Sequence, residues 1–358
     1  MKMYVYVFGP GVGESIVLQY PKESGKGFYW GVIDCHSEEV LRFLQNEKKV
    51  DVLDFVCWTH PHEDHHKGMP ALLQAYEGKI CRFWRFGGYN PKMLLKFSDI
   101  YTKNSKHRDQ FSRIEQIFDF ALKQKKHGAN SYRILADLHQ GLIDVEYSVD
   151  RHFRISSLSP SSQLVEDYTS HLGKCVEQIR LSGDQLNLDW KGLESAHNNI
   201  SVVLLVSFGE TRLLFGSDAE KKSWCHIVAS EERQHQQLSL DSHFVKISHH
   251  GSENGYHKDA WAEITLHNKP SVAITPFRGS QLPTDKGLIL LKKHCSKIYL
   301  TATKKNYQSP KINSMSIKLK YKWKANTQNR QWCTFEFDNL GKMTKVSLSD
   351  TAVIFSGS

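Results

Sequence analysis

The hydrophobic pattern changes period several times along the chain, and each change marks an element. Val52-Leu53-Asp54-Phe55-Val56-Cys57-Trp58 is short, apolar and rich in β-branched and aromatic residues, which predicts a buried strand. Ser201-Val202-Val203-Leu204-Leu205, Leu213-Leu214-Phe215 and Phe244-Val245-Lys246-Ile247 repeat that pattern, and Asp144–Val149 and Phe153–Leu158 read as two further strands closed by Ser159-Pro160. Phe111, Ile114, Ile117, Phe118, Phe120, Ala121 and Leu122 fall at spacings of three and four and predict an amphipathic helix over about 107–126. A second long helix is predicted over about 162–182, and a short one over Met69–Tyr76. Near the C-terminus, Gln308-Ser309-Pro310-Lys311 reads as a linker and Ser316–Lys324 alternates apolar and basic positions like a half-exposed strand. With Trp332–Phe337 and Lys345–Leu348, joined through Asp338-Asn339-Leu340-Gly341, it forms a small antiparallel extension.

The strand ends carry the chemistry. Thr59-His60-Pro61-His62-Glu63-Asp64-His65-His66-Lys67-Gly68 places three imidazoles and a carboxylate within six residues, directly behind a strand. In an extended stretch, side chains two residues apart share a side, so His60, His62 and Asp64 are expected to converge on one point and His65 on a neighbouring one. Neutral imidazole and carboxylate are ligands of divalent transition metals. A solvated histidine tract does not fit a position between a buried strand and a helix.

The pattern His-x-His-x-Asp-His-x-x-Gly behind a strand resembles the metallo-β-lactamase superfamily. That resemblance implies an α/β fold, a four-layer αββα sandwich, around a centre of two divalent ions. It also implies a further His, a bridging Asp and a last His, in that order along the chain. Asp218, in Leu213-Leu214-Phe215-Gly216-Ser217-Asp218-Ala219-Glu220, matches the bridging position, and His197 before Asn198-Asn199-Ile200-Ser201 matches the third ligand of the first ion. His249 and His250 both fit the last position; His249, first after the strand, is preferred, leaving His250 to orient or protonate a substrate oxygen. The implied metal set is His60, His62, Asp64, His65, His197, Asp218 and the pair His249 and His250. Asp64 and His250 are the implied catalytic residues, and Asn199 and Ser252 the implied substrate contacts. Zinc is the first expectation for the ions and manganese the alternative.

The runs Asn198–Leu205, Gly216–Glu220 and Lys246–Ser252 narrow the resemblance to the hydrolase domain of ComEC-type DNA uptake proteins and its stand-alone relatives. Val7–Leu18 and Gly31–Cys35 are similar to that group's opening hairpin, so the likeness runs from about residue 4 to 303. Two departures stand out. The opening lacks the Asp-x-Gly-Gln-Gly-Asp wording, and Thr275–Pro283 has no histidine where relatives often carry one. The expected organisation is a hydrolase domain over 1–303, with a helical insertion at about 90–196 beside the metal mouth, and a C-terminal β extension over 304–358 packed on it.

Composition narrows the setting. With 358 residues, 40% of them hydrophobic, the chain can bury a full core. It has no apolar run of about 18 residues and no signal-peptide layout at Met1-Lys2-Met3-Tyr4-Val5, so a cytoplasmic protein with no membrane partner is expected. Seven cysteines without a Cys-x-x-Cys pair argue against a disulfide framework. The net charge of +9 favours polyanionic partners. Much of it lies in 103–126 and 304–324, which an ordinary solvated basic face explains equally well. Arg82-Phe83-Trp84-Arg85-Phe86-Gly87-Gly88-Tyr89 interleaves cations with aromatics; such a stretch can stack bases or fill a core.

The expected activity is phosphodiester hydrolysis through a two-metal-bound hydroxide, foremost as a nuclease on DNA or RNA. A phosphodiesterase or ester hydrolase acting on a cyclic nucleotide or phosphocholine-like compound is the alternative. A third option is the hydrolase component of a multi-protein bacterial defence system, with a protein partner or a second copy of the chain.

Overall fold

The computed structural model describes residues 1–9, 13–88, 108–128, 130–148, 151–182, 196–302 and 332–356. Their strands, in chain order, are β1 (Lys2–Phe8), β2 (Ser15–Pro21), β3 (Phe28–Cys35), β4 (Leu53–Trp58), β5 (Ile80–Phe86), β6 (Tyr132–Leu135), β7 (His139–Ser148) and β8 (Arg151–Ser159). There follow β9 (Val203–Phe208), β10 (Thr211–Phe215), β11 (Phe244–Lys246), β12 (Ser271–Ile274), β13 (Lys297–Leu300), β14 (Trp332–Asp338), β15 (Met343–Ser347) and β16 (Val353–Ser356). They form two eight-stranded sheets, ordered β15-β14-β1-β2-β3-β4-β5-β6 and β16-β13-β12-β11-β10-β9-β8-β7.

Both sheets are parallel in part, from β3 to β6 in the first and from β10 to β13 in the second. Parallel neighbours need crossover connections, which run over the outer faces. The helices are α1 (Glu39–Arg42), α2 (Glu63–His66), α3 (Met69–Ala75), α4 (Arg108–Lys125), α5 (Ser162–Ser182), α6 (Lys221–Ala229), α7 (Glu231–His235), α8 (Lys258–Ile264) and α9 (Asp285–Lys292). Helices α3 and α4 lie on the first sheet, against β3, β5 and β6. Trp224, Ile227, Trp261, Ile264, Leu288 and Leu291, from α6, α8 and α9, cover the second sheet. The order of layers is therefore helix, sheet, sheet, helix.

Period-two alternation sorts the second sheet's side chains between two cores. Leu204, Val206 and Phe208 of β9 join the core that includes the first sheet, while Val203 and Leu205 join the one under the helices. The same split holds for Leu213 and Phe215 against Leu214 in β10. Because both faces are covered, these strands read as continuous apolar runs. Aromatic rings bridge the two sheets. Tyr20 stacks on Phe153 with centroids 3.8 Å apart, and Phe244 meets Phe335 at 4.9 Å.

The two long helices fall where the periodicity puts them, except that Leu122 faces outward. The aromatic–basic stretch is core: β5 buries Phe83, Trp84, Arg85 and Phe86, Trp84 stacks on Phe55 at 4.7 Å, and Arg85 donates to the Tyr132 hydroxyl at 2.7 Å. A base-stacking role for these residues is thereby ruled out; Tyr89 lies outside the described residues. The C-terminal strands do not rest on a finished domain. Strand β14 pairs antiparallel with β1, and β16 with β13, so residues 332–356 extend both sheets. The expected strand at Ser316–Lys324 and its lysines lie outside the described residues, as do Lys103, Lys106 and His107. All seven cysteines are free. Among the described residues no helix is long and apolar enough to cross a membrane.

Candidate metal centre

Strands β3, β4, β10, β11 and β12 point their carboxyl ends at one region, and the loops they enter carry the polar cluster. Binding outside the carboxyl ends of parallel strands is the general tendency of open α/β sheets. The chain bends at Pro61, is extended at His62 (φ −68°, ψ 142°) and turns helical at Glu63. The two-residue rule is met by His60 and His62, whose Nε2 and Nδ1 lie 3.1 Å apart. It fails for Asp64, which leaves from the helical turn together with His65. Asp64 lies with His65 and His250, correcting the expectation that it would converge with His60 and His62.

Three groups of donor atoms result, Glu14 with His65, Asp218 and His250, Asp34 with His60 and His65, and His60 with His62 and Asp218; Asp218 belongs to two of them. Its Oδ2 lies 3.8 Å from His60 Nε2, beside His62. Its Oδ1 lies 3.4 Å from His65 Nε2 and 3.6 Å from His250 Nε2. Asp64 Oδ2 stands 3.0 Å from His250 Nε2 and 3.7 Å from His65 Nε2. His197 is buried with its ring 5.2 Å from that of His62, flanking the group of His60, His62 and Asp218. Ligand atoms bound at 2.0–2.1 Å to a tetrahedral ion lie roughly 3.3–3.4 Å from one another, and the separations here bracket that value.

Proton counting fixes the imidazole tautomers. The Thr275 carbonyl only accepts, so His250 Nδ1, 2.8 Å away, is the donor and Nε2 presents a lone pair to the carboxylates. Buried Asp34 accepts from Thr59 N at 2.8 Å, Thr59 Oγ1 at 2.5 Å and His65 Nδ1 at 2.7 Å. In its neutral form His65 therefore also turns its Nε2 lone pair inward. Ser217 Oγ donates to Thr59 Oγ1 at 2.7 Å, and Thr59 spends its own proton on Asp34, so His60 Nδ1 at 3.1 Å donates to that hydroxyl. His65 Nε2 and Asp218 Oδ1 are buried without a hydrogen bond. Converging lone pairs of this kind need a cation among them, and the donor set suits a divalent transition metal.

Electrostatics agree. Burial, then the charge of His65, pushes His60 well below the ordinary imidazole range; burial, then His62 and His66, does the same to His197. Both are thus neutral, as ligation requires. Burial opposes a charge on His65, but Asp218, Asp64 and Asp34 outweigh it and raise its proton affinity well above normal. Burial likewise disfavours ionised Asp64 and Asp218, yet His65 and His250 hold both carboxyls low. The space between the two aspartates demands positive charge.

Backbone strain gathers here as well. Asp34, Ser217, His249 and His250 all take left-handed φ, between 44° and 55°. Two close approaches explain nearby glycines. A Cβ on Gly68 would come within 2.8 Å of the Ser37 backbone in the loop after Asp34, and one on Gly216 within 2.1 Å of Ser248 Oγ.

The left-handed turn reverses the preference within the histidine pair. His250 is the buried one and faces the carboxylates; His249 is part-exposed and lies 3.0 Å from Glu220. Of the two expected substrate contacts, Ser252 turns away from the centre: its Oγ accepts from Asn254 N at 3.3 Å, and the residue lines a small neighbouring cavity with Trp224 and Trp261. The Asn199 backbone carbonyl accepts from Ser223 Oγ at 3.3 Å, and its neighbour Asn198 donates to Glu220 at 3.0 Å. Asp34 escaped the sequence-based site, although a carboxylate closing the apolar run Gly31-Val32-Ile33 was a readable signal. Glu14 and Lys246 also escaped: they form a fully buried ion pair under the centre, and Thr275 Oγ1 donates to Glu14 at 3.3 Å. A cavity of about 670 Å³ opens above, lined by Lys67, Asp109, Arg113, His249, Phe277 and Ser280 among others. Arg113 of α4 pairs with Glu63 across this mouth.

No family model and no curated protein matches the chain. Similar solved structures include the metallo-β-lactamase fold protein YhfI from Bacillus subtilis, 11% identical over 83% of this chain and 95% of that one, with a TM-score of 0.37. Zn(2+)-bound PqqB from Methylobacterium extorquens is 12% identical over 68% of this chain and 72% of that one, with a TM-score of 0.31. The short form of human tRNase Z is 9% identical over 82% and 89%, with a TM-score of 0.33. Likenesses this faint carry no weight beside the strand pairing and donor geometry above.

Proposed function

We propose that this protein is a metal-dependent phosphodiester hydrolase of the metallo-β-lactamase type, a nuclease acting on DNA or RNA. The observation that carries this reading is the division of Asp218, with Oδ2 toward His60 and Oδ1 toward His65 and His250. His60, His62, His197 and Asp218 would hold one divalent ion, and Asp64, His65, Asp218 and His250 the other, with zinc preferred over manganese for this imidazole-rich set. When bound, such ions act as Lewis acids and lower the pKa of water.

The chain's own residues supply the rest. Asp34, Thr59 and Thr275 orient the imidazoles. His249 takes over the role first given to His250. Its Nδ1 lies 3.0 Å from the Glu220 carboxylate at the rim of the cavity, a position from which it can hand a proton to a departing oxygen. Lys67 and Arg113 place positive charge around the cavity, which suits a phosphate better than a β-lactam or thioester, and the donor set contains no cysteine. One observation favours the alternative of a small phosphodiester. The cavity's volume, about 670 Å³, is that of a small-ligand pocket.

Asp34→Asn is expected to weaken metal binding about 10- to 100-fold, because the outer partner of a ligating His sets its tautomer and basicity. Chelator competition measures this, and unchanged affinity would remove Asp34 from the role. The reading as a whole is tested by metal analysis of the reconstituted protein and a screen of single-stranded DNA, duplex DNA, RNA and cyclic nucleotides. Two ions per chain and metal-dependent cleavage are expected. Fewer than two ions after reconstitution, or hydrolysis confined to β-lactams or thioesters, would overturn it.

A further inference from the structure

We infer that Phe277 is a platform for a nucleobase, so that the substrate carries a nucleoside on one side of the scissile phosphate; this deepens, and rests on, the phosphodiesterase reading. Phe277 is half-buried and belongs to neither apolar core. Its ring instead lines the cavity above the metal centre. It is held firmly there. Phe277 and Leu282 exchange backbone hydrogen bonds at 2.9 Å in both directions, closing a short loop, and the ring stacks on His250 with centroids 5.1 Å apart and planes at 27°. A phosphate engaged by the centre would thus have a rigid aromatic face beside it. Lys67, a cation lining the same cavity, has no acidic partner among the described residues, whereas Arg113 is engaged by Glu63.

One aromatic face and a free cation match the two ends of a nucleotide, base and phosphate, since every base has a face that stacks. A quaternary ammonium such as choline would instead call for several rings surrounding the cation, and among the described residues Phe277 is the one Phe, Tyr or Trp lining the cavity.

The test compares thymidine 5′-(p-nitrophenyl phosphate) with methyl p-nitrophenyl phosphate, esters that share a leaving group and differ in the nucleoside. Stacking is worth about 1–3 kcal/mol per base. Phe277→Leu should therefore lower the ratio of kcat/KM for the nucleoside ester over the methyl ester by about 5- to 150-fold, and Phe277→Tyr should restore most of it. A ratio left unchanged by Phe277→Leu would overturn the proposal. Calorimetric binding of thymidine 5′-phosphate to the metal-reconstituted protein separates the two layers. Binding that Phe277→Leu weakens, without turnover of either ester, would uphold the platform and remove the hydrolase reading. Absence of both turnover and binding would remove both.

Discussion

Asp218→Ala is expected to leave less than one tightly bound ion per chain where the wild type holds two, and to lower turnover by at least about three orders of magnitude. That exceeds the ~10- to 100-fold expected for an outer partner such as Asp34 and matches or exceeds the ~10²–10³ cost of deleting one charge-stabilising donor from a catalytic site. The reason is geometric. Among the described residues Asp218 is the carboxylate that takes part in two donor groups, with His60 and His62 on one side and with His65 and His250 on the other. Asp64→Ala removes an oxygen from the side of His65 and His250 alone, so it should abolish activity while one ion stays in place. Elemental analysis after gel filtration distinguishes the variants, and a thermal melt of the metal-free proteins guards against misfolding. Because His65 and His250 hold both carboxyls low, each metal-free variant should melt somewhat below the metal-free wild type but keep a single cooperative transition. Retention of two ions by Asp218→Ala would refute the shared-ligand arrangement.

The second large effect concerns stability. Lys246 and Glu14 are fully buried and paired with each other, and Lys246 Nζ also donates to the Ile247 carbonyl at 2.9 Å. Lys246→Met would strand the Glu14 carboxylate without its cation, a defect that costs about 3–5 kcal/mol. Against a typical total of about 5–15 kcal/mol, that is enough to threaten folding. Replacing both members, Glu14→Gln with Lys246→Met, should recover most of the loss, because neutral side chains of similar volume remove the buried charge altogether. Urea unfolding of metal-free protein gives the comparison. Equal destabilisation of the single and double variants would show that packing, not charge, dominates. The pair also ties the site's loops together: Glu14 N donates to the Asp64 carbonyl at 2.9 Å, and Thr275 contacts both Glu14 and His250.

What the sequence made legible was local. His60, His62 and His65 announced themselves because six consecutive residues behind a strand concentrate the ligands. The long helices were legible because a sustained spacing of three and four has no other explanation. What was misread depended on backbone direction or on distant neighbours. Asp64 changed sides because the chain turns helical at Glu63. His249 yielded to His250 because left-handed φ at both positions turns the chain, so being first after β11 does not decide which imidazole faces the centre. The aromatics of β5 looked available for ligands because single-chain alternation cannot reveal that α4 covers their outer face. Ser252 was spent on a local turn, which side-chain type alone does not disclose.

The pairing of β14 with β1 joins segments roughly 330 residues apart. On a ribosome adding about 5–20 residues per second, β1 would wait roughly 15–65 s for that neighbour. Throughout that interval its outer edge would expose unpaired amides and carbonyls beside aromatic side chains, the template that recruits foreign strands. The first sheet therefore closes only once β14 has been made. Yield during expression should depend on chaperone supply and temperature more steeply than the stability of the finished protein suggests.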